Sequence, residues 1–418
     1  MKKLFIFFVC YTCVSLLQAQ TPQRFTHRVF SDISVISGLQ YSAPSVTDET
    51  PQNLYFDFYE PANDVMEDRP LVITVFGGAF VAGSRDWVDM VAIADTLAHY
   101  GYTVASIDYR LINALDVTSA VKVIRGAYSA AQDVSAAIRY FKGNAHLFNI
   151  DTNRIFLLGN SAGTIASLHA LYMDDDERPL ETYADEGGWF GWGALPDLGT
   201  VHSSGFPMYE RYSPSIAGLI AQWGGVMDLN IMDADEKTPV CFIHGTDDGT
   251  VPYYSGVPYS DGTLGLTNLV MPEMYGSYYM SRRLDSLQIE NELHPFAGEP
   301  HCFYLDALFL LNPEKLDACL RIAIAFMARY LEPELPSSIA ENGGFDVMVY
   351  PNPAKDYVTL NFLNFPKEGI VQICDMQGKC LKKSSFTEKL DISFLTPGIY
   401  LLQIASEKGT VTKKLVKQ

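Results

Sequence analysis

The chain has 418 residues, 48% of them hydrophobic and 19% charged, which excludes a disordered, collagen-like or coiled-coil protein and leaves ample apolar material for a core. Its net charge is −19, so the surface repels phosphate backbones and anionic lipid, and nucleic-acid or polybasic membrane roles are disfavoured. The charge is uneven: residues 1–345 carry a net −22 and residues 346–418 a net +3. That change of sign points to two separately composed units.

Residues 1–20 (MKKLFIFFVCYTCVSLLQAQ) place Lys2 and Lys3 before an apolar run, Leu4 to Leu17, and an acceptable cleavage site at Leu17-Gln18-Ala19. The run is short for a membrane span, so it reads as a secretory signal peptide. No other stretch of 18 or more apolar residues follows, and no integral membrane segment is expected in the mature chain. Beyond the signal lie Cys241, Cys302, Cys319, Cys374 and Cys380, an odd number that leaves at least one unpaired. Cys374 and Cys380 flank a hairpin turn and are candidates for a disulfide; no Cys/His spacing resembles a zinc site.

From Leu54 to Leu331, short continuous apolar runs alternate with helical stretches. The runs are Leu71–Phe76, Thr103–Ile107, Ile155–Leu158, Ala217–Gln222 and Val240–Ile243; the helices are Asp86–His99, Gly126–Lys142, Ala162–Met173, Met274–Leu287 and Pro313–Tyr330. Strands buried on both faces and separated by helices predict a mostly parallel sheet with right-handed crossovers. Proline and serine in 332–345 mark a linker. Residues 346–418 hold short β runs separated by Gly or Pro turns and predict a small all-β sandwich. The expected organisation is a signal peptide (1–20), an α/β catalytic domain (21–331), a linker (332–345) and a β sandwich (346–418).

The strand ending at Leu158 runs into Gly159-Asn160-Ser161-Ala162-Gly163 and then a helix. A Gly-x-Ser-x-Gly turn between strand and helix lifts a serine hydroxyl clear of the backbone, and the helix N-terminus favours developing negative charge. Ser161 is therefore the candidate nucleophile. Upstream, Phe76-Gly77-Gly78-Ala79-Phe80 directly follows another strand, and small residues there let backbone N–H groups approach a reacting carbonyl. The N–H groups of Gly78, Ala79 and Ala162 are the candidate oxyanion donors. The acid comes from His244-Gly245-Thr246-Asp247-Asp248-Gly249-Thr250-Val251-Pro252, where Asp248 is favoured, Asp247 stays open and Asp228 is a distant third. His301, in the Gly298-Glu299-Pro300-His301 loop, is the candidate base. His244 reads as bonding within its own turn, and His169 and His294 as structural. The order Ser161, Asp248, His301 suits nucleophilic catalysis with neither metal nor organic cofactor.

On VFGGAFVAGS, SIDYRL, GNSAG, HGTDDGTVPY and GEPHCFY, residues 54–331 resemble the α/β-hydrolase superfamily, and within it secreted bacterial carboxylesterases of the carboxylesterase and hormone-sensitive-lipase type. Those relatives usually carry His where this chain has Phe76 and Gly where it has Ala79. On VYPNPAKDYVTLNF and LTPGIYLLQI, residues 346–418 resemble the type IX secretion sorting domain of Bacteroidetes-type bacteria, which implies contact with secretion machinery and a secreted or surface location.

Residues 174–214 form a long insertion bearing Trp189, Phe190, Trp192, Phe206, Tyr209 and Tyr212, read as a cap over Ser161. Tyr253, Tyr254, Tyr259, Tyr275, Tyr278 and Tyr279 suggest a tyrosine-rich rim, and hence acetyl or feruloyl esters of polysaccharides. Two other expectations compete with the ester hydrolase: a prolyl-type exopeptidase, and a non-catalytic surface binding protein on a hydrolase fold.

Overall fold

The apolar runs of the first 331 residues become the strands of one eight-stranded sheet in the computed structural model. It describes residues 24–42, 52–185, 187, 194–259, 272–306, 308–331, 346–352, 354–363, 369–374, 380–396, 398–406 and 409–417. The expected signal segment 1–20, the expected linker 332–345, the expected turn 375–379 and three insertion aromatics (Trp189, Phe190, Trp192) lie outside the described residues. The chain divides into two compact units, Met1–Pro333 and Glu334–Gln418.

In the first unit the strands are β1 (Ile33–Ser42), β2 (Leu54–Pro61), β3 (Arg69–Val75), β4 (Thr103–Ile107), β5 (Ile150–Asn160), β6 (Gly218–Gln222), β7 (Val240–Gly245) and β8 (Asn291–Phe296). Their spatial order is β1-β2-β4-β3-β5-β6-β7-β8. The first two join antiparallel and the other six run parallel. Every residue of β3, β4, β6 and β7 is buried, as unbroken apolar runs require. Each Val, Leu or Ile so buried contributes about 1.5–3 kcal/mol. Strand β1 was not legible from such a run: it is an edge strand, mostly exposed, with Val35 and Ile36 facing solvent.

Helices α1 (Val88–His99), α2 (Ala120–Gly143), α3 (Ala162–Tyr172), α4 (Ser277–Leu287) and α5 (Pro313–Ala328) cover the sheet. Helix α2 begins six residues earlier than its apolar spacing suggests, because Ser119 caps it by accepting from Lys122 N–H. The stretch read as the start of α4 is instead a short strand, Met274–Gly276, paired with Val226 and Gly225. No helix among the described residues is long and apolar enough to cross a membrane.

Where the insertion is described, it is tied to α2. A row of α2 side chains straps it down: Arg125 donates to the carbonyls of Glu181 and Pro196, Tyr128 to that of Gly199, Gln132 to those of Leu198 and Thr200, and Arg139 to that of Ser204. Tyr209 and Tyr212 then pack at the far end of α2, against Gly143 and Tyr140. At 1.5 Å rise per residue, Gly143 lies about 25 Å along the helix from Gly126, which abuts Phe80 beside the glycine turn. Tyr209 and Tyr212 brace that far end of α2.

The second unit holds two antiparallel sheets. One is β9 (Asp346–Tyr350), β10 (Tyr357–Leu363) and β13 (Lys389–Asp391); the other is β11 (Gly369–Cys374), β12 (Cys380–Ser385), β14 (Gly398–Ser406) and β15 (Gly409–Lys417). Val358, Leu360, Val371, Ile373, Leu402, Ile404 and Leu415 form their shared core. Cys374 stands opposite Cys380 in register, but one is buried, the other exposed, and their sulfurs are not bonded to each other.

Candidate active site

All the candidate groups sit at or just beyond the carboxyl ends of the parallel strands. Strand β5 ends at Asn160, and Ser161 turns the chain into α3 with φ 54° and ψ −116°, a left-handed conformation that costs a non-glycine residue roughly 1–3 kcal/mol. The surroundings enforce that turn. A Cβ on Gly163 would meet the carbonyl oxygens of Val75 and Phe76, so only glycine lets α3 pack against the end of β3. Ser161 N–H and the Thr164 hydroxyl both donate to Gln222 O on the neighbouring strand.

Beneath the turn lies a buried polar network. Asn160 Nδ2 donates to Asp89 Oδ2 at 2.8 Å and to Tyr304 Oη at 3.0 Å, and its Oδ1 accepts from Trp223 Nε1. Burial pushes the Asp89 carboxyl up, and hydrogen bonds from its own and Met90's N–H and from Asn160 offset that only in part.

The glycine turn adjoins the serine: a Cβ built on Gly77 would stand 3.1 Å from Ser161 Cβ. Beyond it Gly78, Ala79 and Phe80 take φ of 125°, 54° and 63°. The turn folds on itself through Val81 and Ala82 N–H, both donating to Gly78 O at 3.1 Å. Neither Gly78 nor Ala79 N–H donates to another described residue. Ala162 opens α3, where a first-turn N–H has no partner within the helix. Where the relatives carry histidine, Phe76 stacks on Tyr109 with centroids 4.2 Å apart, and Tyr109 Oη donates to Phe76 O. Stacking thus anchors this loop in place of a polar side chain.

The acid and the histidine come from adjacent strands. Strands β7 and β8 pair up to Gly245 and Phe296, and the loops beyond are stapled by Thr246 N–H to Phe296 O, Asp247 N–H to Glu299 O and Gly298 N–H to Thr246 Oγ1. This brings His301 Nε2 within 2.8 Å of Ser161 Oγ and His301 Nδ1 within 2.7 Å of Asp248 Oδ2. Asp248 Oδ1 accepts from the N–H groups of Thr250 and Val251, and Oδ2 accepts from His244 Nε2 at 3.1 Å as well as from His301. Burial alone would raise this carboxyl, but the hydrogen bonds from His244 and His301 hold it well below the usual carboxylate range.

The neighbouring candidates fall elsewhere. Asp247 is exposed and accepts only from the Thr246 hydroxyl. Asp228 caps a short helical turn by accepting from Asn230 N–H. His169 is buried on α3 and donates to Ile165 O, and His294 pairs with Glu292. His244 bonds within its own turn, as its position suggests, through Asp248 Oδ2 and Val251 O, and so meets the candidate acid four residues on. Among the described residues, Cys241, Glu292 and His294 alone cluster as metal donors, and Arg329 already pairs with Glu292 at 2.9 Å.

The arrangement is one in which an imidazole, oriented by a buried carboxylate, can withdraw a proton from a strained serine beside unpaired backbone N–H groups.

Residues 56–236 match the BD-FAE family, and residues 348–418 match the secretion system C-terminal sorting domain, which indicates secretion or cell-surface export. Two Arabidopsis thaliana proteins are each 23% identical: a probable isoprenylcysteine alpha-carbonyl methylesterase, aligned over 50% of this chain and 50% of its own length, and an isoprenylcysteine alpha-carbonyl methylesterase, aligned over 70% and 67%. The chain therefore spans about half the length of the first of these relatives. Among solved structures, Thermogutta terrifontis esterase 2 is 17% identical, with 71% of this chain and 97% of that one covered and a TM-score of 0.47. A truncated carbohydrate esterase from gut microbiota is 17% identical, with 74% and 98% covered and a TM-score of 0.44. The chain thus combines a stretch similar to the BD-FAE family, within a sheet of esterase-like α/β-hydrolase architecture, with one similar to the secretion system C-terminal sorting domain.

Proposed function

We propose that the protein is a secreted serine carboxylic-ester hydrolase. Ser161 Oγ attacks the ester carbonyl carbon as His301 Nε2 takes its proton, and Asp248 holds the imidazole in the tautomer that leaves Nε2 free to accept. Negative charge developing on the carbonyl oxygen is met by the N–H groups of Gly78, Ala79 and Ala162, each worth about 3 kcal/mol in such a role. The C–O bond to the alcohol breaks as His301 returns the proton to the leaving oxygen. Water then adds to the acyl-enzyme, again giving its proton to His301, and the acid departs with Ser161 restored.

The observation that carries this reading is the unbroken line Ser161 Oγ–His301 Nε2–Asp248 Oδ2, at 2.8 and 2.7 Å. For the substrate we propose acetyl or feruloyl esters of polysaccharides. In support, Tyr253, Tyr254, Tyr278 and Tyr279 form a continuous aromatic cluster, with Tyr254 and Tyr279 exposed, and such rings stack on sugar or phenolic faces.

The purified chain should hydrolyse p-nitrophenyl acetate and release acid from acetylated xylan or methyl ferulate, while leaving aminoacyl anilides intact. Anilide cleavage without ester cleavage would instead establish the exopeptidase. No turnover of any of these would leave the non-catalytic binding protein.

A further inference from the structure

We propose that His244 is a positioning residue for the acid–base pair, acting through Asp248; this rests on the catalytic reading above. Two imidazoles converge on one oxygen: His301 Nδ1 at 2.7 Å and His244 Nε2 at 3.1 Å from Asp248 Oδ2. His244 is completely buried. Its Nε2 faces two acceptors, Asp248 Oδ2 and Val251 O at 3.0 Å, so that nitrogen must carry the hydrogen. Its Nδ1 lies 2.8 Å from Ser277 Oγ, the first residue of α4. A line of hydrogen bonds thus runs from Ser277 through His244 to Asp248 and on through His301 to Ser161. It ties Asp248 to the first residue of the helix that carries Tyr278 and Tyr279.

The physical consequence is twofold. Asp248 accepts two hydrogen bonds on each oxygen, so its plane is fixed and the direction in which it points His301 is fixed with it. The His244 N–H also draws part of the Oδ2 charge away from His301. Without that donor more of the Oδ2 charge would face His301, and the carboxylate would hold its imidazolium form more tightly. Other groups facing this cluster among the described residues include Pro295, alongside His244 on β8; Tyr253, whose ring meets the His244 ring edge-on at 5.6 Å; Tyr259, whose hydroxyl is pushed up to about 12 by burial and then by the Asp248 charge; Trp223, whose ring centroid lies 6.4 Å from that of His301; and Cys302, whose thiol is pushed up by burial and by the Asp89 and Asp248 charges.

The test uses the full chain with p-nitrophenyl acetate across pH, beside the rate of labelling by a fluorophosphonate. His244→Leu should lower kcat about 10–100-fold with KM within twofold, since small misorientations of a catalytic group carry losses of that size. It should also move the acid limb of the kcat/KM profile to higher pH and slow labelling by the same factor. His244→Gln, whose amide can reach the Nε2 position, should restore most of the rate. Ser277→Ala, which leaves Asp248 untouched, should shift the limb in the same direction by less, and it decides the matter if His244→Leu does not fold. A wild-type acid limb and rate in His244→Leu, or in Ser277→Ala when only that variant folds, overturns the proposal. So does a His244→Gln no better than the folded Leu variant. Failure of the wild-type chain to label at Ser161 at all overturns the catalytic reading instead.

Discussion

The two sides of the candidate site are built by different means. The nucleophile side is made of backbone: a left-handed Ser161, a Gly77-Gly78 turn pressed against it, and a Gly163 with no room for a side chain. The acid–base side is made of side-chain hydrogen bonds that meet across two loops: Asp248 with its four donors, and His301 held between Asp248 and Ser161. The first side should therefore fail through packing and strain, and the second through orientation and charge.

The largest effect belongs to the residue shared by both. Ser161→Ala should lower kcat on the order of 10⁴–10⁶-fold while melting at the wild-type temperature or above, because alanine removes only the hydroxyl. Next comes the acid: Asp248→Asn should cost about 10⁴-fold in kcat, the scale known for triads in which the acid no longer fixes the histidine tautomer. The same variant tests the electrostatics. Because the folded state holds Asp248 below its ordinary range, its ionised form stabilises the fold above about pH 4, and that contribution fades as pH falls toward the lower folded value. Urea melts of Asp248→Asn should accordingly show a weaker loss of stability on acidification than the wild type.

The backbone side gives the third effect. In Gly163→Ala a methyl group would meet the Val75 and Phe76 carbonyls, and the midpoint of chemical unfolding should fall by an amount equivalent to about 3 kcal/mol. The smallest effect sharpens the contrast between the two aspartates of one turn. Asp247→Asn should change neither stability by more than about 0.5 kcal/mol nor the rate measurably, since Asp247 is exposed and touches no member of the site.

This division also explains what could be read beforehand. The nucleophile side was legible because its signal is local: a buried run ending in Gly159-Asn160-Ser161-Ala162-Gly163 specifies strand, turn and helix within a dozen residues. Asp248 and His301 were legible only as candidates, because their meeting depends on strands β7 and β8 lying side by side. His244 was legible as a residue bonding within its own turn, but not its contact with Ser277, 33 residues further on. The insertion was only partly legible for a related reason. Aromatic residues among glycines look like a pocket lining, yet Tyr209 and Tyr212 fill the groove beside Gly143, and the straps from Arg125, Gln132 and Arg139, seven residues apart on one face of α2, are polar and so fall outside the apolar pattern. Strand β1 escaped because an exposed edge strand lacks the continuous apolar run that revealed its neighbours.

The claim on which all of this depends is that one hydroxyl is activated by one imidazole. Intact-mass and peptide mapping after treatment with a fluorophosphonate tests it directly. A single adduct on Ser161, absent from Ser161→Ala and slowed in Asp248→Asn, is the expected result. An adduct on another residue, or labelling that persists unchanged in Ser161→Ala, would contradict it.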